Sequence, residues 1–207
     1  MITDRTTFER IIGSLEVAAH RESRLPQQVF REGYSQFACI EFDLFSGDAF
    51  WSLLQRLAAA TGDASIACVV LAPDPTEYFL KQFGMYGAIE INAKASADQY
   101  FTSMSVAPKA SPADSLINNS EVLAWFSPSL EWLIWGERGL TVAMLGIHDR
   151  FAAFISSAAQ ESGIRLFSPE EAVSDLISAN FADDEVPLEW RDEFLRQYGV
   201  LPITKLP

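Results

Sequence analysis

The sequence predicts an α+β protein in which a mixed, partly antiparallel β-sheet packs against helices and the C-terminal part is helical. Three observations predict this class. Helical and strand patterns alternate over residues 6–104, three strand patterns follow one another over residues 122–147, and helical patterns alone occupy the rest. With 207 residues, 49% of them hydrophobic, the chain can bury a sizeable core, and we expect a single domain over 1–207.

The N-terminal part predicts a helix, a strand and a second helix. Thr6 and Glu9 have the spacing of a capping box, so we expect the first helix to begin at Thr6. Residues 38–45 alternate between two faces, which predicts a strand. The second helix begins near Asp48 and ends at Gly62, since glycine readily adopts the left-handed conformation of a helix end.

The middle of the chain continues with alternating strands and helices. Residues 66–71 are a continuous apolar run, which is typical of a central strand that is covered on both faces. Asp74 and Pro75 are a helix cap followed by a first-turn proline. Residues 86–91 predict another strand, and Ser96 caps a short helix.

Residues 105–121 interrupt this pattern with two prolines and many small polar residues. We expect a long loop or an insertion here. Long connections within compact domains are often lids or binding loops. A ligand pocket beneath this loop is therefore one interpretation of the segment.

Residues 122–147 predict an antiparallel meander of three strands. Its turns are expected at 127–129 and 136–139, where glycines at both ends of the second turn supply unusual dihedral angles. The predicted strands are 122–126, 130–135 and 140–147. The middle strand has apolar residues on both faces, so it should lie inside the sheet.

Three helical patterns follow the meander. Asp149 caps the first, Ser168 and Pro169 open the second, and the third covers about 188–198. The tail 201–207 should be extended.

Cys39 and Cys68 both lie in apolar runs and predict buried, free thiols in core strands. Neither has a cysteine or histidine neighbour at the spacing of zinc ligands. We therefore expect no metal centre that includes them.

The net charge of −13 is unevenly distributed. Residues 161–193 contain ten acids and two bases, and so carry eight of the thirteen net negative charges. Such a surface repels phosphate backbones and anionic lipids, which argues against nucleic acid and membranes as partners. One explanation of this charge is that the segment binds a basic protein partner. The alternative is that the charge only keeps the protein soluble. No run approaches the roughly 20 apolar residues that span a bilayer, and the N-terminus lacks an apolar signal core, so we expect a cytoplasmic protein.

Motifs that would indicate catalysis are scarce. His148, beside Asp149, could act as a general base, but no nucleophile motif accompanies it, and a helix-start residue with a solvated ring is the interpretation we favour. Glu41, Asp43 and Glu90 could converge on a cation or do acid–base work. The simpler interpretation is a solvated strand face.

These observations favour a non-enzymatic cytoplasmic protein-binding module of inhibitor, immunity or adaptor type, with no cofactor. The predicted partner-binding residues are Asp183, Asp184, Glu185, Glu189, Glu137 and Arg138. The last two should be presented on the tight turn 136–139, because binding residues often lie on exposed turns. The alternative is an enzyme or small-molecule-binding protein with a pocket beneath the 105–121 loop.

Overall fold

Six strands form one antiparallel sheet in the part of the chain that the structure describes. The computed structural model describes residues 1–108 and 111–199. The strand order is β1-β6-β5-β4-β2-β3, and each of the five neighbouring pairs is antiparallel. The predicted α+β class and the helical C-terminus are confirmed. The antiparallel part predicted at 122–147 extends over the whole sheet.

The strands and helices have the following bounds. The strands are β1 Gln36–Glu41, β2 Ser65–Ala72, β3 Ala88–Asn92, β4 Val122–Phe126, β5 Trp132–Glu137 and β6 Val142–Ile147. The helices are α1 Arg5–Ala18, α2 Asp48–Thr61, α3 Lys81–Phe83, α4 Ala97–Ser105, α5 Ala152–Ser162, α6 Pro169–Ala172 and α7 Leu188–Tyr198. Two stretches of π-helix adjoin them: Pro75–Leu80 runs into α3, and Val173–Ile177 extends α6.

Helices cover both faces of the sheet and define two apolar cores. The first core lies between the sheet and α2, α4 and α5, and contains Trp125 and Ile134. The second core lies between the sheet and α1, α6 and α7, and contains Trp135 and Phe194. Because helices cover both faces of the sheet, the apolar run of β2 is buried from residue 66 to residue 71, as its sequence predicts.

The start of α1 differs from the prediction. The carboxylate of Asp4 accepts hydrogen bonds from the Thr7 amide at 2.7 Å and from the Thr7 hydroxyl at 2.6 Å. Aspartate is a strong N-cap residue, so the helix begins at Arg5. The predicted capping box of Thr6 and Glu9 is wrong. The later caps at Asp74, Ser96 and Ser168 are confirmed.

The strand predicted at 38–45 is in fact a strand followed by a 3-10 helix. β1 ends at Glu41, and Phe42–Ser46 form the 3-10 turn. A strand would place Phe42 and Phe45 on opposite faces of the sheet, whereas three residues per turn bring both rings into the first core. Their ring centroids lie 5.0 Å apart.

The meander is confirmed, but its second turn lies two residues later than predicted. β4, β5 and β6 pair in sequence, and the turn occupies 138–141, where Thr141 has a φ of 52°. Gly136 lies within β5 and is needed for packing, because a Cβ there would lie 2.8 Å from the Phe42 ring. The middle strand has the predicted faces: Trp132 and Ile134 lie in the first core, and Leu133 and Trp135 in the second.

Backbone contacts partly cover both edges of the sheet. On the β1 side, Cys39 and Phe167 exchange hydrogen bonds at 2.8 and 2.9 Å. On the β3 side, the Ile2 amide donates to Ala88 at 2.9 Å, and the Tyr86 amide donates to Ile2 at 2.8 Å. Tyr86 therefore belongs to this bridge, and β3 begins at Ala88 instead of residue 86. Covered edges offer few free groups for unwanted strand pairing.

The C-terminal helices end near their predicted bounds, but the predicted cap at Asp149 is wrong: α5 begins at Ala152 after the 3-10 turn Asp149–Phe151, and the Asp149 carboxylate accepts from Ser35 and Gln36 instead. α5 ends at Gly163, which has a φ of 73°, and α7 covers Leu188–Tyr198. The predicted extended tail 201–207 lies outside the described residues. Within the described ranges, no helix is both long and apolar enough to cross a membrane.

Candidate functional site

From Phe167 onward, the acidic segment 161–193 lies at the surface of the second core. Its residues Ala172 and Ile177 are fully buried there, as is Phe194, which directly follows the segment. All of its acids are exposed except Glu193, which is half-buried. The helices therefore direct their apolar faces inward and leave the negative charge outside.

The charges of this segment are only partly neutralised. Ion pairs join Glu161 to Arg56, Asp175 to Arg165 and Glu193 to Arg196. Among the described residues, the other acids of the segment have no basic group within 4.0 Å. They are Glu170, Glu171, Asp183, Asp184, Glu185, Glu189 and Asp192. Five of these seven lie between residues 183 and 192, which makes this stretch the most negative part of the segment.

Two of these acids occupy a left-handed turn. Asp183 and Asp184 have φ values of 58° and 57°, a conformation that aspartate tolerates better than most residues. Both carboxylates are exposed. Phe181 and Trp190 contact each other on either side of the turn, with ring centroids 5.8 Å apart. The contact between Phe181 and Trp190 therefore brings together the two chain segments that flank the acidic turn.

An exposed leucine lies beside this turn. Leu188 is 70% exposed and falls between Glu185 and Glu189 in the sequence. The next aromatic residue, Trp190, stacks on Phe194 at 5.1 Å and anchors α7 to the second core. Leu188 therefore forms a small apolar patch within negative surroundings.

A groove of about 280 Å³ separates the π-helical stretch from α7. Val173, Val186 and Leu195 supply its apolar lining. Glu170, Asp184 and Arg191 are its charged residues, and all three are exposed. We call it the acidic groove. No local sequence pattern indicates this groove, because its walls come from separate elements.

Glu137 is not presented on a turn. It belongs to β5, is 8% exposed, and accepts hydrogen bonds from the Leu25 amide at 2.8 Å and the Trp135 indole at 3.0 Å. Desolvation raises the pKa of this carboxyl above its usual value. The expectation of an exposed Glu137 is wrong, because the strand continues two residues further than predicted.

Arg138 is half-buried and its guanidinium is occupied within the chain. It donates to the Ser120 carbonyl at 2.8 Å and to the Ile117 carbonyl at 3.0 Å. The same group lies 5.1 Å from the centre of the Phe42 ring and 5.6 Å from that of Phe45. Arg138 therefore links residues 117–120, which precede β4, to the aromatic rings of the first core.

The connection predicted as a loop or insertion packs against the first core in its described part. Leu116 is fully buried, and the Asp114 carboxylate accepts hydrogen bonds from the Tyr78 hydroxyl at 2.7 Å and from Asn119 at 2.5 Å. A cavity of about 770 Å³ lies elsewhere, along β3 and α4, and includes Glu90. The contacts of residues 111–121 therefore hold the described part of this loop against the first core, and a pocket beneath it stays a prediction.

His148 lies at the end of β6 beside a buried acid. Its Nδ1 lies 3.4 Å from Glu131, which is 9% exposed and also pairs with Arg150. The opposite side of the ring faces Gly33, where a Cβ would lie 3.1 Å from Nε2. The ring also packs against Tyr34, with ring centroids 4.8 Å apart, so His148 lies at a helix start as predicted but its ring is half-buried instead of solvated.

Glu41, Asp43 and Glu90 do not converge. Glu41 ends β1 and Glu90 lies on β3, at opposite edges of the sheet, while Asp43 belongs to the 3-10 turn. Glu90 instead pairs with Arg10 at 2.5 Å and accepts from Ser65 at 2.9 Å. No group of three or more potential metal ligands occurs among the described residues.

The architecture is an antiparallel sheet between two helical layers, with an acidic groove and turn on the layer formed by α1, α6 and α7. No protein-family model matches the chain, and no curated protein or solved structure matches it.

Proposed function

We propose that this protein is a non-enzymatic cytoplasmic protein-binding module of inhibitor, immunity or adaptor type, which binds a basic protein through the acidic segment 161–193. The observation that carries this proposal is the cluster of exposed, unpaired acids at 183–192 around the exposed Leu188. The partner-binding prediction is carried forward for Asp183, Asp184, Glu185 and Glu189.

Charge and apolar area would contribute to different steps of binding. Clustered negative charge accelerates the encounter with a basic protein and is screened by salt. Affinity comes mainly from a few well-packed contacts near the centre of an interface. Leu188 is a suitable contact of this kind, because it exposes a large apolar side chain within the charged patch.

Neutralising the acidic turn tests the proposal. The triple variant Asp183→Asn, Asp184→Asn, Glu185→Gln removes three charges, and asparagine keeps the tolerance for the left-handed conformation. We expect affinity capture from the native host, quantified by mass spectrometry, to recover a basic protein with the wild type and to lose it with the variant. With the purified partner, association should slow by about tenfold at low salt and by less at high salt.

A matched control removes the same charge elsewhere. Glu32, Glu41 and Asp43 are exposed and have no ion-pair partner among the described residues, so Glu32→Gln, Glu41→Gln, Asp43→Asn changes the net charge equally. We expect this variant to bind as the wild type does. Equal losses in both triple variants would show a general charge effect and contradict a binding site at 161–193.

A further inference from the structure

We infer that the acidic groove between the π-helical stretch Val173–Ile177 and α7 receives an arginine side chain of the partner. This inference rests on the proposed function and deepens it, because it assigns one contact of the basic partner to one cavity. The argument uses the size of the groove, its lining and its unpaired carboxylates.

The groove has the dimensions of a side chain. Its volume of about 280 Å³ falls just below the roughly 300–1,000 Å³ of pockets that bind whole small molecules. Val173, Val186 and Leu195 make part of its wall apolar, next to Ser174 and Ser178. Arginine and lysine place their aliphatic stems along such apolar surface and keep their charged ends at the rim.

The charged residues of the groove favour a cationic occupant. Glu170 and Asp184 line it, and neither has a basic group within 4.0 Å among the described residues. Arg191 offsets one of these charges and leaves the groove net negative. A guanidinium group can reach two carboxylates at once through its planar set of donors, which an ammonium group cannot match in geometry.

The larger cavity along β3 and α4 is a weaker candidate for the same ligand. Its acids are Glu90 and Asp98, and Glu90 is already engaged by Arg10 and by the Ser65 hydroxyl. Lys94 offsets the remaining charge of Asp98, whereas the acidic groove keeps two unpaired carboxylates against the single Arg191. The acidic groove is therefore the site that we assign to arginine.

A titration with small probes tests the assignment on the whole protein. The probe is Nα-acetyl-arginine methylamide, and its uncharged and ammonium counterparts are the citrulline and lysine derivatives. We expect saturable NMR shifts of the Val173, Val186 and Leu195 methyl groups with the arginine probe, and about tenfold weaker binding of the other two. Absence of these shifts, or equal binding of the citrulline or lysine probe, would overturn the assignment.

Two double variants of equal charge separate the groove from its surroundings. Glu170→Gln, Asp184→Asn removes the groove carboxylates, whereas Glu32→Gln, Asp43→Asn removes two exposed acids that lie outside the segment 161–193 and do not line the groove. Asparagine at position 184 suits the left-handed turn. We expect the first variant to weaken binding of the arginine probe about tenfold and the second to leave it unchanged. Equal effects would overturn the assignment.

Partner capture shows which of the two proposals fails. If the partner still binds in the Glu170→Gln, Asp184→Asn variant as tightly as in the wild type, the groove assignment is wrong and the acidic segment remains the binding surface. If the arginine probe occupies the groove but no basic partner is captured by the wild type, the groove binds arginine and the proposed function fails.

Discussion

The carboxylate of Glu137 connects β5 to the segment that follows α1. It accepts hydrogen bonds from the Leu25 amide and the Trp135 indole, and Arg24 lies close enough to lower its pKa slightly against the dominant effect of burial. The net result is a raised pKa, so the folded protein binds a proton at Glu137 more tightly than the unfolded chain does. This residue therefore makes stability depend on pH.

The variant Glu137→Gln should reveal that dependence. The contribution of Glu137 to the free energy of unfolding is full below the unfolded pKa and is lost as pH rises through the raised folded pKa. Glutamine keeps an oxygen that can accept both hydrogen bonds and does not ionise. We expect the stability of this variant relative to the wild type, measured by urea unfolding, to increase as pH rises above about 4, the pKa of an unperturbed glutamate. Glu121→Gln, at an exposed position, is the control. A difference that does not change with pH would contradict the prediction.

At the scale of elements, long-range polar contacts hold the connection before β4 in place. Arg138 reaches back to Ile117 and Ser120, and Asp114 joins Tyr78 to Asn119. The Arg138 side chain provides hydrogen-bond donors to two backbone carbonyls that are not paired within a helix or strand. These contacts give residues 111–121 an ordered structure with little regular secondary structure.

Removing the Arg138 side chain should loosen this connection selectively. Arg138→Ala leaves the Ile117 and Ser120 carbonyls without their donor and removes the cation from the Phe42 and Phe45 rings. We expect a loss of about 2–3 kcal/mol in the free energy of unfolding and faster hydrogen exchange across residues 115–121. Arg10→Ala, which breaks an exposed ion pair, should cost less than about 1 kcal/mol. Equal costs for the two variants would show that Arg138 is an ordinary surface residue.

At the scale of the whole molecule, the sheet separates two cores that each contain one cysteine. Cys68 lies in the first core and Cys39 in the second, and both thiols are free and buried, as the sequence predicts. Burial raises the pKa of each thiol, which lowers the fraction of reactive thiolate in the folded state. A thiol reagent can therefore reach the two cysteines only when the helical layers separate from the sheet.

Thiol labelling should report on unfolding of the entire layered structure. We expect Cys39 and Cys68 to react slowly with iodoacetamide in the folded protein, at rates that rise together with denaturant concentration. Mass spectrometry of the labelled peptides gives each rate separately. A much faster reaction of one cysteine in the native protein would show that its core opens locally.

The sequence by itself determined the features that depend on neighbouring residues. Side-chain periodicity identified the class, the meander and the two faces of its middle strand. Short-range hydrogen bonds made the caps at Asp74, Ser96 and Ser168 readable, since donor and acceptor lie within three residues of each other. The outward position of Glu189 and Asp192 followed from the apolar face on the opposite side of α7.

The tertiary structure decided the features that depend on distant residues. β1 ends at Glu41 because the rings of Phe42 and Phe45 share one core, and the meander turn lies after Glu137 because β5 continues to pair with its neighbours up to that residue. Glu137 binds a backbone amide 112 residues away, so no local pattern could show that it is buried. The acidic groove also depends on residues that are distant in the sequence, since its walls come from separate elements. Local propensity acts over a few residues, whereas burial and cavity shape are fixed only when separate elements pack together.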